Sequence, residues 1–302
     1  MRVLVTGASG FLGRHLTALL AARGDEVTAL ALEPGPLPPT VRFASVDVRD
    51  AGAVARVVAA ADPEAVVHLA ALSHVGESWR RMPEYFEVNV LGTESVVAAA
   101  RGRRLLLAST AEVYGTVPED EQPIAESRAP APRSPYALTK AAAERLALPA
   151  GAIVARLFNL AGPGQATNFA LPSFAAQLAA VARGTAPPVL RVGNLAARRD
   201  FVHVDDAAEA MARLLDAGES GTVANVAGGR AVSIAEALDR LRAVAGVEVR
   251  LEEDPERLRP LDVPLLAGDA ARLAALGWRP RRGLDQALTD LWREALGRGA
   301  VG

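Results

Sequence analysis

Val3-Leu4-Val5-Thr6-Gly7-Ala8-Ser9-Gly10-Phe11-Leu12-Gly13 is the stretch whose reading decides the fold. Residues 2–6 form a short apolar, β-branched run, the signature of a buried strand. A helical pattern follows over residues 11–23 and stops at Gly24. Gly7, Gly10 and Gly13 fall in the turn between them. Glycines there permit a tight turn and let backbone N–H groups approach a pyrophosphate, whose charge the helix N-terminus favours. By themselves, three glycines so spaced would also suit a flexible loop. The strand before and the helix after argue for the phosphate-binding turn, with Phe11 and Leu12 opening its helix.

The same alternation continues outward. Strands are expected at residues 26–32, 41–46, 65–69, 103–108 and 152–157. Helices are expected at 51–61, 82–101 and 134–148. Strands alternating with helices predict an α/β fold, a doubly wound parallel sheet of Rossmann type covered on both faces. Such a sheet binds ligands at the carboxyl ends of its strands. After about Leu160 the character changes: Gly162-Pro163-Gly164, Pro187-Pro188 and the prolines at 260 and 264 punctuate shorter elements. We therefore expect residues 1–160 to form an NAD(P)-binding domain. Residues 161–302 should form mainly a smaller C-terminal substrate-binding lobe, with some segments returning to the first domain.

Composition narrows the classes. The 302 residues are half apolar and carry a formal net charge of −2, so there is no electrostatic footprint for nucleic acid or an anionic membrane. The apolar runs are too short to span a bilayer. Met1-Arg2 runs directly into a strand, which leaves no room for a signal peptide, and a cytoplasmic location is the expectation. The absence of cysteine excludes thiolate chemistry, and the four histidines (His15, His68, His74, His203) show no metal-ligand spacing. His68, in an apolar strand, reads as a packed core residue.

Of the 33 residues counted as Lys plus Arg, Lys140 is the single lysine. A lysine retained alone suggests a site that needs a compact ammonium, which a planar guanidinium cannot imitate. It falls four residues after Tyr136 in Tyr136-Ala137-Leu138-Thr139-Lys140, on one helical face. With three tyrosines in the chain, that placement has a chance of roughly 3 in 302. An ammonium beside the phenol, also bonding a nicotinamide ribose, is expected to lower the phenol pKa and let Tyr136 exchange a proton with a carbonyl or hydroxyl. Thr110, at the end of the fifth strand, could bond the same oxygen, although a Ser-Thr pair there also suits a turn cap. Glu112 could be an acid or base, or a salt-bridge partner. Asp47 and Val48 suit an adenine edge, and a cap cluster with Asp50 is the competing reading. Ala31-Leu32-Glu33 leaves the choice between NAD and NADP open.

The chain resembles the extended short-chain dehydrogenase/reductase family, the NAD-dependent epimerases/dehydratases, over nearly its full length. The resemblance rests on Thr6 through Gly13, His68-Leu69-Ala70-Ala71, Asn89-Val90-Leu91-Gly92-Thr93, Tyr136 through Lys140, and Arg199-Asp200-Phe201-Val202-His203-Val204-Asp205-Asp206. It implies that Leu69, Ala70 and Ala71 line the cofactor and that a nucleotide sugar lies between the two lobes. The second half is most similar to GDP-6-deoxy-4-keto-mannose reductases, through Phe158-Asn159-Leu160-Ala161-Gly162-Pro163-Gly164-Gln165, Arg191-Val192-Gly193-Asn194-Leu195 and Arg259-Pro260-Leu261-Asp262-Val263-Pro264. That match implies Asn159, Arg199 and Arg259 on the substrate diphosphate and Ser73 near the hexose. Ala111 stands where related 4,6-dehydratases carry an acid, which weakens a dehydratase reading. The segment from Lys140 to Arg156 is shorter than in relatives whose helix pairs in a homodimer, so a homodimer is less secure.

The expected activity is reduction of the C4 ketone of a GDP-4-keto-6-deoxymannose-type sugar by NADH or NADPH. The alternatives are an epimerase, decarboxylase or dehydratase that recycles a bound cofactor, and, less favoured, a cofactor-sensing protein without catalysis.

Overall fold

Described here from a computed structural model are residues 1–258 and 262–297. Strands β1 (Arg2–Thr6), β2 (Glu26–Ala31), β3 (Arg42–Ser45), β4 (Ala65–His68), β5 (Arg104–Thr110) and β6 (Ile153–Leu157) fall where the sequence patterns put them. β7 (Asn159–Ala161), β8 (Val189–Val192) and β9 (Arg198–His203) follow in the second half, and β10 (Val223–Val226) then returns to the main sheet. The order is β10-β6-β5-β4-β1-β2-β3, all parallel. From β1 the chain winds one way through β2 and β3 and then the other way from β4. The switch point, and the crevice it creates, therefore lies at the carboxyl ends of β1 and β4.

The helices of the first half are α1 (Phe11–Ala22), α2 (Ala51–Ala61), α3 (Val75–Ser78), α4 (Met82–Phe86), α5 (Gly92–Ala99) and α6 (Pro135–Ala147). Those of the second are α7 (Ala170–Ala182), α8 (Val204–Ala217), α9 (Ile234–Ala245), α10 (Ala271–Ala275) and α11 (Leu284–Gly297). The central strands β1, β4 and β5 are largely apolar on both faces because both are covered. Val3 and Val5 pack under α1 and α8, against Leu12, Leu16, Leu20, Met211 and Leu214. Leu4, Leu105 and Leu107 pack on the other side, against Val54 and Val58 of α2, Val96 of α5, and Ala143 and Ala147 of α6. A separate core formed by Leu171, Phe174 and Leu178 of α7, Leu238 and Leu241 of α9, and Leu288 and Leu291 of α11 holds the second lobe. There β9 pairs with β7, β11 (Ala231–Ser233) and β13 (Leu265–Leu266), while β12 (Arg250–Glu253) pairs with β8.

One element differs from expectation. Residues 82–101 do not form one regular helix, because a π-turn at Glu87–Leu91 separates α4 from α5. The wide turn brings Asn89 inward. Its amide accepts from Leu72 N (2.8 Å), donates to Leu72 O (3.0 Å) and donates to Thr139 Oγ1 (3.0 Å). Gly92, just beyond, lies so close to Val48 that a Cβ would stand 2.7 Å from its Cγ2. The π-turn exchanges helix regularity for side-chain and packing contacts, as such turns commonly do near sites. α6 begins cleanly because Ser134 caps it, accepting from Ala137 N at 3.1 Å, with Pro135 in its first turn. None of the described helices is long and apolar enough to cross a membrane.

Candidate active site

The crevice is a cleft of about 540 Å³ at the carboxyl edge of the sheet. Its floor is the glycine turn. Gly7 has φ +66°, and a Cβ there would lie 2.6 Å from Ala70 N; one on Gly13 would lie 2.1 Å from Gly7 O. Only hydrogen fits between β1, β4 and α1. Gly10, at the N-cap, offers no side-chain acceptor, so the first N–H groups of α1 face the cleft without an internal cap. Gly7, Gly10, Phe11, Leu12, Gly13, Asp47, Val48, Leu69, Ala70 and Ala71 all line the cleft. This small-residue cradle with a helix N-terminus fits a dinucleotide pyrophosphate.

The Asp50 and Asp47 readings separate cleanly. Asp50 caps α2, accepting from Ala53 N at 2.8 Å. Asp47 is held instead by Arg49, whose NH2 reaches it at 2.6 Å and which keeps its carboxyl below the usual range. Glu33 is exposed and is not part of the lining, which at that edge is Leu30, Ala31 and Leu32.

His68 is a structural residue. Thr93 donates to Asn89 O at 2.6 Å, so the Thr93 oxygen accepts from His68 Nε2 at 3.0 Å. His68 Nδ1 is then the acceptor for the Thr6 hydroxyl at 2.7 Å, and Thr6 in turn accepts from Ala70 N at 3.2 Å. Burial, with Lys140 nearby, pushes the imidazole down to about 3, which agrees with this neutral tautomer. The chain of bonds ties the ends of β1 and β4 to the π-turn.

Thr110, Tyr136 and Lys140 meet beside the glycine turn: Thr110 ends β5, while Tyr136 and Lys140 project from α6 one turn apart. Tyr136 is 8 % exposed, and its ring meets Tyr85 edge-on at 6.5 Å. The expectation of a depressed phenol is not met. Burial pushes Tyr136 well above its ordinary value, the Thr110 hydrogen bond opposes this, and the Glu112 carboxylate adds to it. Lys140, 3 % exposed, is pushed down to about 8 by burial, against the pull of Glu144 one turn on. No group among the described residues bonds its ammonium, which faces the cleft. Glu112 also lines the cleft, its N–H donating to Thr110 Oγ1 at 3.2 Å. Ala111 is buried in an apolar cluster with Tyr114, Ile124 and Phe158.

Behind this group lies an ion pair that sequence reading missed. Glu144 accepts from Arg156 Nε (3.0 Å) and NH2 (2.7 Å) and from the Ser109 hydroxyl (2.5 Å), all three residues being buried. Spacing hints only at Glu144, four residues after Lys140. Arg156 comes from β6 and reaches Glu144 only once β5 and β6 pair beneath α6.

The substrate-side candidates divide. Ser73 and Asn159 line the cleft. Arg199 is not part of the lining: it is 4 % exposed and donates to Val263 O (2.7 Å) and to Asp262 Oδ1 (2.5 Å). Its guanidinium fastens the strand β9 to the segment that leads into β13. Arg259 lies outside the described residues. Asp200, beside Arg199, accepts from Gly228 N, Gly229 N and Gly268 N, and burial raises its carboxyl to about 6. Among the described residues no group of three or more His, Asp or Glu is placed to hold a metal.

Comparison with known proteins places this geometry in context. The sequence model of the NAD dependent epimerase/dehydratase family matches residues 3–227. GDP-6-deoxy-D-mannose reductase of Pseudomonas aeruginosa is 38% identical over 298 residues, covering 95% of this chain and 94% of the relative. The solved structure of RMD from Pseudomonas aeruginosa complexed with NADPH superposes with a TM-score of 0.86 at 35% identity, over 99% of this chain and 100% of that one. UDP-glucose 4-epimerase of Thermus thermophilus with NAD superposes with a TM-score of 0.90 at 34% identity, over the whole of both chains.

Proposed function

The chain belongs to the NAD dependent epimerase/dehydratase family, and from that premise we propose that it is a reductase. Its substrate would be a nucleotide-linked 4-keto-6-deoxyhexose of the GDP type, and its reaction the reduction of the C4 ketone by NADPH or NADH. The observation that carries the reading is the similarity to GDP-6-deoxy-D-mannose reductase, 38% identical over 95% of this chain, together with Thr110, Tyr136 and Lys140 at one cleft; the burial of Tyr136 agrees with it. A phenol pushed above its ordinary pKa by burial keeps its proton across the physiological range. It is therefore poised to give a proton to an oxygen rather than to take one. The bound nicotinamide supplies the hydride.

The residues of the chain do the rest. Thr110 orients the oxygen that Tyr136 protonates, and Lys140 meets ribose hydroxyls with its ammonium. Asn159 and Ser73 reach the sugar nucleotide from the cleft wall, between the sheet edge and the second lobe. Ala111, in an apolar cluster, offers no second acid, which disfavours elimination of water. Glu112, at the cleft, would relay a proton from solvent back to Tyr136 after each turnover. Arg199 acts at one remove, by holding Asp262 and the segment that follows Arg259. The short segment after Lys140 weakens the homodimer reading, and light scattering on the purified chain would decide between monomer and dimer.

A second reading, an epimerase with recycled NAD, is favoured by the higher TM-score of the Thermus thermophilus enzyme. The two differ in one measurement, the absorbance of NADPH or NADH after addition of GDP-4-keto-6-deoxymannose. A reductase oxidises the cofactor stoichiometrically, and Tyr136→Phe lowers kcat by on the order of 10²–10⁴. No oxidation, together with NAD carried through purification, would establish the recycling enzyme.

A further inference from the structure

Gln165 is buried on the cleft wall, 7 % exposed, at the end of a loop held from three sides. His15 Nε2 meets Pro163 O at 3.1 Å, Arg14 NH2 donates to Gly164 O, and Gly164 N donates to Glu294 Oε2 at 2.6 Å. Gly164, at φ +84°, lies so close to Arg14 that a Cβ would collide with its guanidinium. The clamps come from α1, the helix whose N-terminus faces the cleft, and from α11. Gln165 is thereby set with little freedom.

The orientation of its amide follows from its one bond. Nε2 donates to Leu160 O at 2.9 Å, and the reversed amide would put two carbonyl oxygens face to face. Oε1 therefore points away from Leu160, is buried, and has no hydrogen-bond partner among the described residues. A buried amide oxygen left without a donor is destabilising. Among the described residues nothing supplies that donor, and a group seated in the cleft against Gln165 would.

We infer that Gln165 Oε1 accepts an N–H from the carboxamide of the nicotinamide, making Gln165 a positioning residue for the ring. The inference rests on the cofactor reading given above. Its geometric basis is the attachment of the Gln165 loop to the first turns of α1, on the cofactor side of the cleft. Lys140 would take the ribose hydroxyls, and the carboxamide NH2 is the donor carried by the ring itself. A hexose hydroxyl is the other donor of suitable chemistry, and the experiment separates the two.

Calorimetry on the full chain compares NAD(P) with its 3-acetylpyridine analogue, in which a methyl group replaces the carboxamide nitrogen. The unsubstituted protein should bind the parent about tenfold more tightly, and Gln165→Met should weaken the parent by a similar factor while leaving the analogue unchanged. Equal binding of parent and analogue by the unsubstituted protein would overturn the inference without recourse to any variant. So would full discrimination retained by a folded Gln165→Met. An unchanged dinucleotide affinity with a raised KM for the sugar nucleotide would assign the oxygen to a hexose hydroxyl and overturn it too. Failure of the unsubstituted protein to bind either dinucleotide has a different signature: it would sink the cofactor reading, and this inference with it.

Discussion

Lys140 and Arg199 are both buried cations, one in each half of the molecule, and the two regions use the charge in opposite ways. Lys140 sits among small and apolar groups of α6, and its ammonium bonds nothing among the described residues; burial lowers its pKa to about 8. Arg199 is bonded to Asp262, to Val263 O and to Arg198 O. The first region keeps a charge available and loses stability by doing so. The second uses its charge to fasten β9 to the segment entering β13. Burial alone therefore does not mark a functional cation. What marks it is burial beside a cleft with the charge left for something outside the protein.

Three substitutions would break or sharpen that contrast. The largest effect belongs to Arg199→Ala, which leaves Asp262 without this partner and should lower stability by roughly 3 kcal/mol, read from the urea midpoint. A normal midpoint with a raised KM would instead return Arg199 to the substrate site. Next is Gly13→Ala on the cradle side. Its methyl would stand 2.1 Å from Gly7 O, a backbone atom with little room to move. We expect about 1–3 kcal/mol of destabilisation and at least tenfold weaker dinucleotide binding, measured by fluorescence titration. Unchanged affinity would mean that the turn is not the pyrophosphate site.

The smallest effect runs the other way. Lys140→Met should raise stability by on the order of 1–2 kcal/mol at pH 7 while abolishing turnover. The pH dependence has a definite sign. The folded pKa of about 8 lies below the ordinary 10.5, so between those values the unfolded chain binds more protons. The penalty in the unsubstituted protein is complete below pH 8 and is relieved as pH rises from 8 to 10.5. The advantage of the methionine variant should shrink over that window, in urea melts taken across it. A constant difference would place the ammonium in a more solvated setting than the cleft suggests.

The contrast also explains which parts of the site were legible. The glycine turn could be read because its chemistry is backbone chemistry: glycine at 7, 10 and 13 permits conformations and close approaches that other residues do not. The Tyr136 and Lys140 pair could be read because four residues on a helix lie on one face. The phenol of the protein by itself shifts the other way from expectation, since desolvation by burial outweighs the Thr110 hydrogen bond. Gln165 lay within a recognised stretch, but its unpaired oxygen depends on the direction of the Leu160 carbonyl. The π-turn gave no signal, because the periodicity of residues 82–101 is continuous enough for one helix.

The amino-acid sequence by itself determined the doubly wound parallel sheet, the turn that opens onto its crevice and the placement of Tyr136 and Lys140 on one helical face. Each follows from interactions between residues close in the chain, whose geometry is set by helix and strand periods and by glycine's freedom. Only the tertiary structure decided that Arg199 is a fastener, that Glu144 answers Arg156, that burial raises the Tyr136 phenol and that β10 forms the sheet edge beside β6. Those outcomes depend on which distant groups share one low-dielectric space, and electrostatics in such a space follows distance and burial rather than position along the chain.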